Sequence, residues 1–257
     1  MKAVDAVKQY WDEFPCGIQI SDKDKGTREF FEEIKTKFRD VYAPYTHSDA
    51  LLNFRAYRDK SVLEVGCGIG LDALEFARNG AHVTAVDLSP KNIELAQAYF
   101  GHNNLKAAIE VGDAERLRFG DGTFDLALAI GVLYYTPNTQ KAVDELRRVL
   151  RPGGKAICMF YNRYSWYVLL ARMSHSNLDH EDKDPPVVKL YSVKEVTNLF
   201  RQFSHVEVET DRFPTKTLKR SGVIANLYNS CVVPLVEIVP KRMIRPFGFH
   251  VIVKATK

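Results

Sequence analysis

The chain has 257 residues, of which 46% are apolar and 26% charged, and its formal net charge is +4. This is the balance of a globular protein able to bury a core, and it excludes a disordered or membrane-embedded composition. The mild positive charge comes without a basic cluster in the first 200 residues, so no nucleic-acid partner is expected. Cys16, Cys67, Cys158 and Cys231 are too widely separated for a zinc framework or a disulfide-dense scaffold. Reduced thiols are expected, and no metal site. The opening segment lacks the apolar core of a signal peptide, so a cytoplasmic location is expected.

Residues 1–58 read as an N-terminal helical cap, with a helix at Glu29–Val41 and breaks at Phe14–Gly17 and Pro44. Ser61–Val65 is a short apolar strand that runs into Gly66-Cys-Gly-Ile-Gly70, and Leu71–Asn79 then has the apolar spacing of a helix. The alternation repeats with a strand at His82–Val86, a helix at Pro90–Tyr99, and strands at Ala107–Val111 and Phe124–Ile130. Ala142–Leu150 reads as a helix stopped by Arg151-Pro-Gly-Gly154, before a strand at Lys155–Tyr161. Strands separated by helices imply parallel crossovers and a doubly wound α/β sheet.

Past Tyr161 come a polar segment (Ser174–Pro186), a helix around Ser192–Phe203, a strand at Val206–Glu209 and a final apolar run, Gly248–Ala255. The whole is expected to be one domain: cap 1–58, cofactor-binding core 60–162, and substrate-side segments with closing strands in 163–257. Ser221–Val239 holds a single charge, Glu237, but Gly222, Asn226, Asn229 and Pro234 interrupt it. It reads as a lid or a surface-lying helix, since a spanning helix needs roughly 20 mostly apolar residues.

A glycine turn between strand and helix admits a ligand close to the backbone, and the helix start offers free N–H groups. Alone it is a weak signal. Leu71 stands where a dinucleotide fold has a third small residue, which disfavours a nicotinamide-dependent oxidoreductase. Asp87 ends the second strand, where a carboxylate can accept both hydroxyls of a ribose. Asp113 follows the third strand, placed to read an adenine edge. Each acid taken singly is as readily a surface cap. Three such features at the C-terminal ends of successive parallel strands point to a nucleoside ligand.

Val62-Leu-Glu-Val-Gly-Cys-Gly-Ile-Gly70, Val86-Asp-Leu-Ser89, Gly112-Asp-Ala114, Phe124-Asp-Leu126 and Leu150-Arg-Pro-Gly-Gly154 together resemble the successive motifs of class I S-adenosylmethionine-dependent methyltransferases, over about residues 60–162. The opening Tyr10-Trp-Asp-Glu-Phe-Pro-Cys16 also resembles the cap of some small-molecule members. The resemblance implies a Rossmann-like seven-stranded sheet in the order 3-2-1-4-5-7-6, mostly parallel with the seventh strand antiparallel. It implies that Glu64, Gly66, Gly68 and Gly70 line the methionine end of the cofactor. Asp87 would hold the ribose with Leu88 beside the adenine, Asp113 and Ala114 would meet the adenine ring, and Ile130 would lie under the cofactor. S-adenosylmethionine would be consumed and S-adenosylhomocysteine released.

A sulfonium methyl is already electrophilic, so the protein must mainly hold an acceptor in line and exclude water. Tyr134 and Tyr135 are expected to position the acceptor, and Tyr161, Tyr164 and Trp166 to follow nearby. His47, His175 and His250 are possible bases, although a packed or surface histidine is the ordinary fate of each. The expected acceptor is a small, partly apolar or aromatic metabolite. A lipid-linked or macromolecular acceptor stays open, as does a non-catalytic module that keeps the fold. Peripheral membrane contact through Ser221–Val239 and its basic flanks (Lys216, Lys219, Arg220, Lys241, Arg242, Arg245) is a further alternative to an ordinary packed lid. The oligomeric state is not legible.

Overall fold

The computed structural model describes residues 2–15, 18, 21–42, 48–174, 185–212 and 228–257. Within them the chain runs α1 (Ala3–Glu13), α2 (Arg28–Tyr42), α3 (Asp49–Leu52), β1 (Ser61–Val65), α4 (Leu71–Arg78), β2 (His82–Asp87) and α5 (Pro90–His102). It continues with β3 (Ala108–Val111), β4 (Phe124–Ile130), α6 (Thr139–Val149), β5 (Leu150–Tyr161), α7 (Trp166–Ser174), α8 (Val193–Leu199), β6 (His205–Asp211), α9 (Val233–Ile238), α10 (Lys241–Ile244) and β7 (His250–Thr256). The seven strands form one sheet in the order β3-β2-β1-β4-β5-β7-β6. β1 to β5 are parallel, and β7 lies antiparallel between β5 and β6. The expected Rossmann-like topology is therefore the observed one.

The central strands read as continuous apolar runs because helices cover both sheet faces. Val62, Leu63, Leu126, Ala127 and Leu128 are fully buried. The N-terminal helices join this core. Phe31 of α2 stacks on Tyr99 of α5 at 4.6 Å between ring centroids, and Phe54 meets Phe76 of α4 at 4.7 Å.

The turn expected at Arg151–Gly154 is instead part of β5. Phe124 pairs with Leu150 but Leu126 with Lys155, so extra residues of β5 bulge out of the ladder. Such a bulge accepts Pro152, which has no N–H to donate, and Gly153, whose φ is +76°. The helix expected from Ala142 starts earlier, at Thr139, because the Asn138 side chain accepts from the Lys141 N–H and caps it. α8 follows a capping box of Ser192 and Glu195 and stops at Leu199, short of the expected Phe203. Phe200 and Phe203 turn inward there and are both buried.

Candidate functional site

β1, β2, β3 and β4 end at one edge of the sheet, and the segments that follow them meet there. Gly66 has φ +70°, and a Cβ on it would stand 2.2 Å from Cγ2 of Val132, so only glycine lets β1 turn against the segment after β4. The N–H groups of Gly66 and Cys67 both donate to the Val86 carbonyl, at 2.7 and 3.0 Å. Gly68 donates to Oδ2 of Asp87 at 2.9 Å, and Gly70, at φ +81°, opens α4. Gly112 donates to the Asp87 carbonyl at 2.9 Å, tying the end of β3 to the end of β2.

Asp87 is buried. Its Oδ1 accepts from the Ser89 N–H (2.9 Å) and the Asn92 amide (3.1 Å), while Oδ2 accepts from Gly68. Burial raises its pKa, an effect opposed by these three donors and reinforced by the charge of Asp12. Three donors occupy three of about four lone-pair sites on a carboxylate, so acceptor capacity is left for a ligand hydroxyl.

Glu64 differs. It is buried, and its Oε2 has no hydrogen-bond partner. Burial, then the neighbouring Asp72 and Asp87, hold its carboxyl well above the usual range, against a backbone donor from Ala73. A buried carboxylate oxygen without a partner is costly unless a donor reaches it, and a cationic ligand would supply one. Asp113 is half-buried and turns back on the Glu115 N–H at 2.8 Å. Ala114 is buried, and Leu88 and Ile130 are half-buried, at the ends of the strands on which they were expected.

α1 closes one side of this region by contacts that the sequence reading missed. Oδ1 of Asp12 accepts from the Ser89 hydroxyl at 2.6 Å. The same Ser89 oxygen caps α5 by accepting from the Asn92 N–H at 3.2 Å. Ser89 before Pro90 was a legible cap signal, but its partner 77 positions earlier was not. One residue back, Trp11 meets Tyr135 edge-on at 5.1 Å.

Tyr135 continues into a row of rings: Tyr134 at 4.3 Å, Tyr161 a further 4.1 Å on, then Phe249 at 4.4 Å. Tyr134 and Tyr135 are both buried, in the turn Leu133–Tyr135. Trp166 reaches the far end of the row through Tyr167, which it meets at 5.6 Å and which packs on Phe249 at 4.4 Å, whereas Tyr164 faces outward. Tyr164 is 63% exposed, and the Trp166 indole donates to the Arg212 carbonyl. His250 is buried, with Nε2 3.2 Å from Nη1 of Arg212. A guanidinium can only donate, so that nitrogen accepts and the ring proton sits on Nδ1. His47 and His175 lie outside the described residues, as do Cys16 and residues 221–227 of the Ser221–Val239 segment, whose remainder is helical over Tyr228–Val232 and Val233–Ile238.

The strand order, with β7 antiparallel, together with a glycine turn after β1 and a buried acid at the end of β2, gives the Rossmann-like fold of the methyltransferase type. Residues 63–158 match the family model described as a methyltransferase domain. The sterol 4-C-methyltransferase of Caenorhabditis elegans is 40% identical over 97 residues, which are 37% of this chain and 29% of that protein. The ubiquinone biosynthesis O-methyltransferase of Maricaulis maris is 35% identical over 118 residues, 46% of each chain. The chain thus spans less than half the length of these two relatives. Among solved structures, the PH0226 protein of Pyrococcus horikoshii superposes with a TM-score of 0.60 at 20% identity, covering 97% of this chain and 98% of that one, a likeness of fold. Residues 63–158 thus form a domain similar to those of the class I S-adenosylmethionine-dependent methyltransferases, whose cofactor is S-adenosylmethionine.

Proposed function

We propose that the protein transfers a methyl group from S-adenosylmethionine to a small, partly apolar or aromatic metabolite, by direct in-line displacement. The observation behind this reading is the row Trp11, Tyr135, Tyr134 and Tyr161, built at the same sheet edge as the glycine turn and Asp87.

The cofactor supplies an electrophilic methyl on a sulfonium, and the residues hold and shield it. Glu64, through its unpartnered oxygen, faces the ammonium of the methionine moiety, with Gly66, Gly68 and Gly70 giving that moiety room beside the backbone. Asp87 would accept from the ribose, Leu88 and Ile130 would pack on the nucleoside, and Asp113 and Ala114 would meet the adenine. Tyr134 and Tyr135 position the acceptor, and a row of large rings excludes water from the reaction volume. His250 already spends Nε2 on Arg212, so proton removal by that nitrogen has no part in this reading. The relatives are named for methylation at carbon and at oxygen, so likeness leaves the receiving atom open.

The test is parallel calorimetric titration with S-adenosylmethionine, S-adenosylhomocysteine and NAD, followed by mass spectrometry of a metabolite panel for a gained methyl. Binding of the first two alone, with methylation of an apolar or aromatic metabolite, is the expected result. Binding of NAD alone, or of nothing, would overturn the cofactor assignment, and methylation of only a macromolecular acceptor would overturn the acceptor class.

A further inference from the structure

Nine large apolar side chains are exposed among the described residues, and all but Val111 and Val193 fall in two stretches. One is α7 and the turn before it, with Tyr164, Leu169, Leu170 and Met173, of which Met173 is 70% exposed. The other is the stretch from Ile238 to Phe247, with Ile238 (81% exposed), Met243 and Phe247. Far apart in sequence, the two are held together at the sheet edge. The Asn162 side-chain amide donates to the carbonyls of Pro246 and Gly248 while its oxygen accepts from the Tyr164 N–H. Tyr167 of α7 packs on Phe249 at 4.4 Å.

The charges in these stretches are one-sided. Residues 163–174 and 228–249 contain Arg163, Arg172, Lys241, Arg242 and Arg245 against a single carboxylate, Glu237. Arg163 is neutralised by Glu195 at 3.1 Å, whereas the side chains of Arg172 and Arg245 are exposed. Short helices that expose aliphatic and Met side chains among cations suit the boundary of an anionic bilayer, where apolar groups enter the headgroup region and cations meet lipid phosphates. No helix among the described residues is long and apolar enough to cross a membrane, so the contact is a peripheral one. A two-fold pairing of this face with a second copy would set its cations against themselves.

We infer that α7 and the stretch Ile238–Phe247 form a docking face for an anionic phospholipid surface. The inference does not depend on which acceptor is methylated. The test is co-sedimentation of the whole chain with phosphatidylcholine vesicles and with vesicles of equal parts phosphatidylcholine and phosphatidylglycerol, at low and high salt. Binding is expected to the mixed vesicles and to weaken with salt. Leu169→Gln combined with Met173→Gln, and separately Phe247→Gln, should each lower the bound fraction about tenfold with the melting temperature unchanged, since these side chains are exposed. Equal binding to both vesicle types, no binding, or full binding by the variants would overturn the inference. So would self-association of the chain, lost in the same variants, without vesicle binding.

Discussion

On the proposed function, a single oxygen of Glu64 would set stability against ligand affinity. Its folded pKa lies above the unfolded value, so the unfolded chain ionises first as pH rises. The residue therefore costs stability progressively above the ordinary carboxylate range, and little below it. Glu64→Gln should melt at a higher temperature than the native protein at pH 8 and at about the same temperature at pH 4, while binding S-adenosylmethionine more weakly. Thermal melts across that range check the first part and calorimetry the second; a variant less stable at pH 8 would contradict the burial argument. Asp87 is the opposite kind of residue, since its oxygens already serve Gly68, Ser89 and Asn92. Asp87→Ala strands these donors together with the ribose hydroxyls, and the expected loss of cofactor affinity is roughly 1 to 3 kcal/mol. Unchanged affinity by calorimetry would remove the ribose assignment.

Among the elements, α1 has the most specific role. It is tied at Asp12 to the start of α5 and at Trp11 to the ring row, so on the proposed function one turn of helix would touch both the nucleoside side and the acceptor side of the site. The bond to Asp12 comes from a hydroxyl, and an amide oxygen can accept it as well as a carboxylate can. Asp12→Ala is accordingly expected to weaken cofactor binding by about 1 kcal/mol, and Asp12→Asn to restore most of it. If both variants behaved like the native protein in calorimetry, the tie would have no part in binding. Trp11→Ala should instead act on the acceptor, lowering kcat/KM about tenfold with cofactor affinity unchanged. Equal loss of both would move Trp11 into the cofactor site. Tyr134 is better probed as Tyr134→Phe, because truncating a ring this deeply buried would open a cavity costing about 3 to 5 kcal/mol.

Across the whole molecule, the sheet was legible because its signals are local. Apolar runs such as Phe124–Ile130, closed by glycines and caps, mark strands and helices within a few residues of themselves. The glycine turn and Asp87 stood out as candidates for the same reason, since each follows or ends a strand that the pattern defines, whereas Glu64 was reached only through the family resemblance. Asp12 was not, because its meaning depends on Ser89, and neither residue marks the other in sequence. The bulge in β5 was missed because Pro152 and Gly153 carry the same signal in a turn as in a strand that leaves its ladder.

The placement of β7 also bears on how the protein is made. β6 precedes β7 in the chain, yet among the described residues its only neighbour in the sheet is β7. During synthesis the parallel strands β1 to β5 can assemble as they leave the ribosome, while β6 waits with nothing to pair with. A single strand, threaded last between β5 and β6, then completes both ladders at once. Until it arrives, the growing chain displays the open edge of β5 and an unpaired β6, edges of the kind on which strands of other chains can pair.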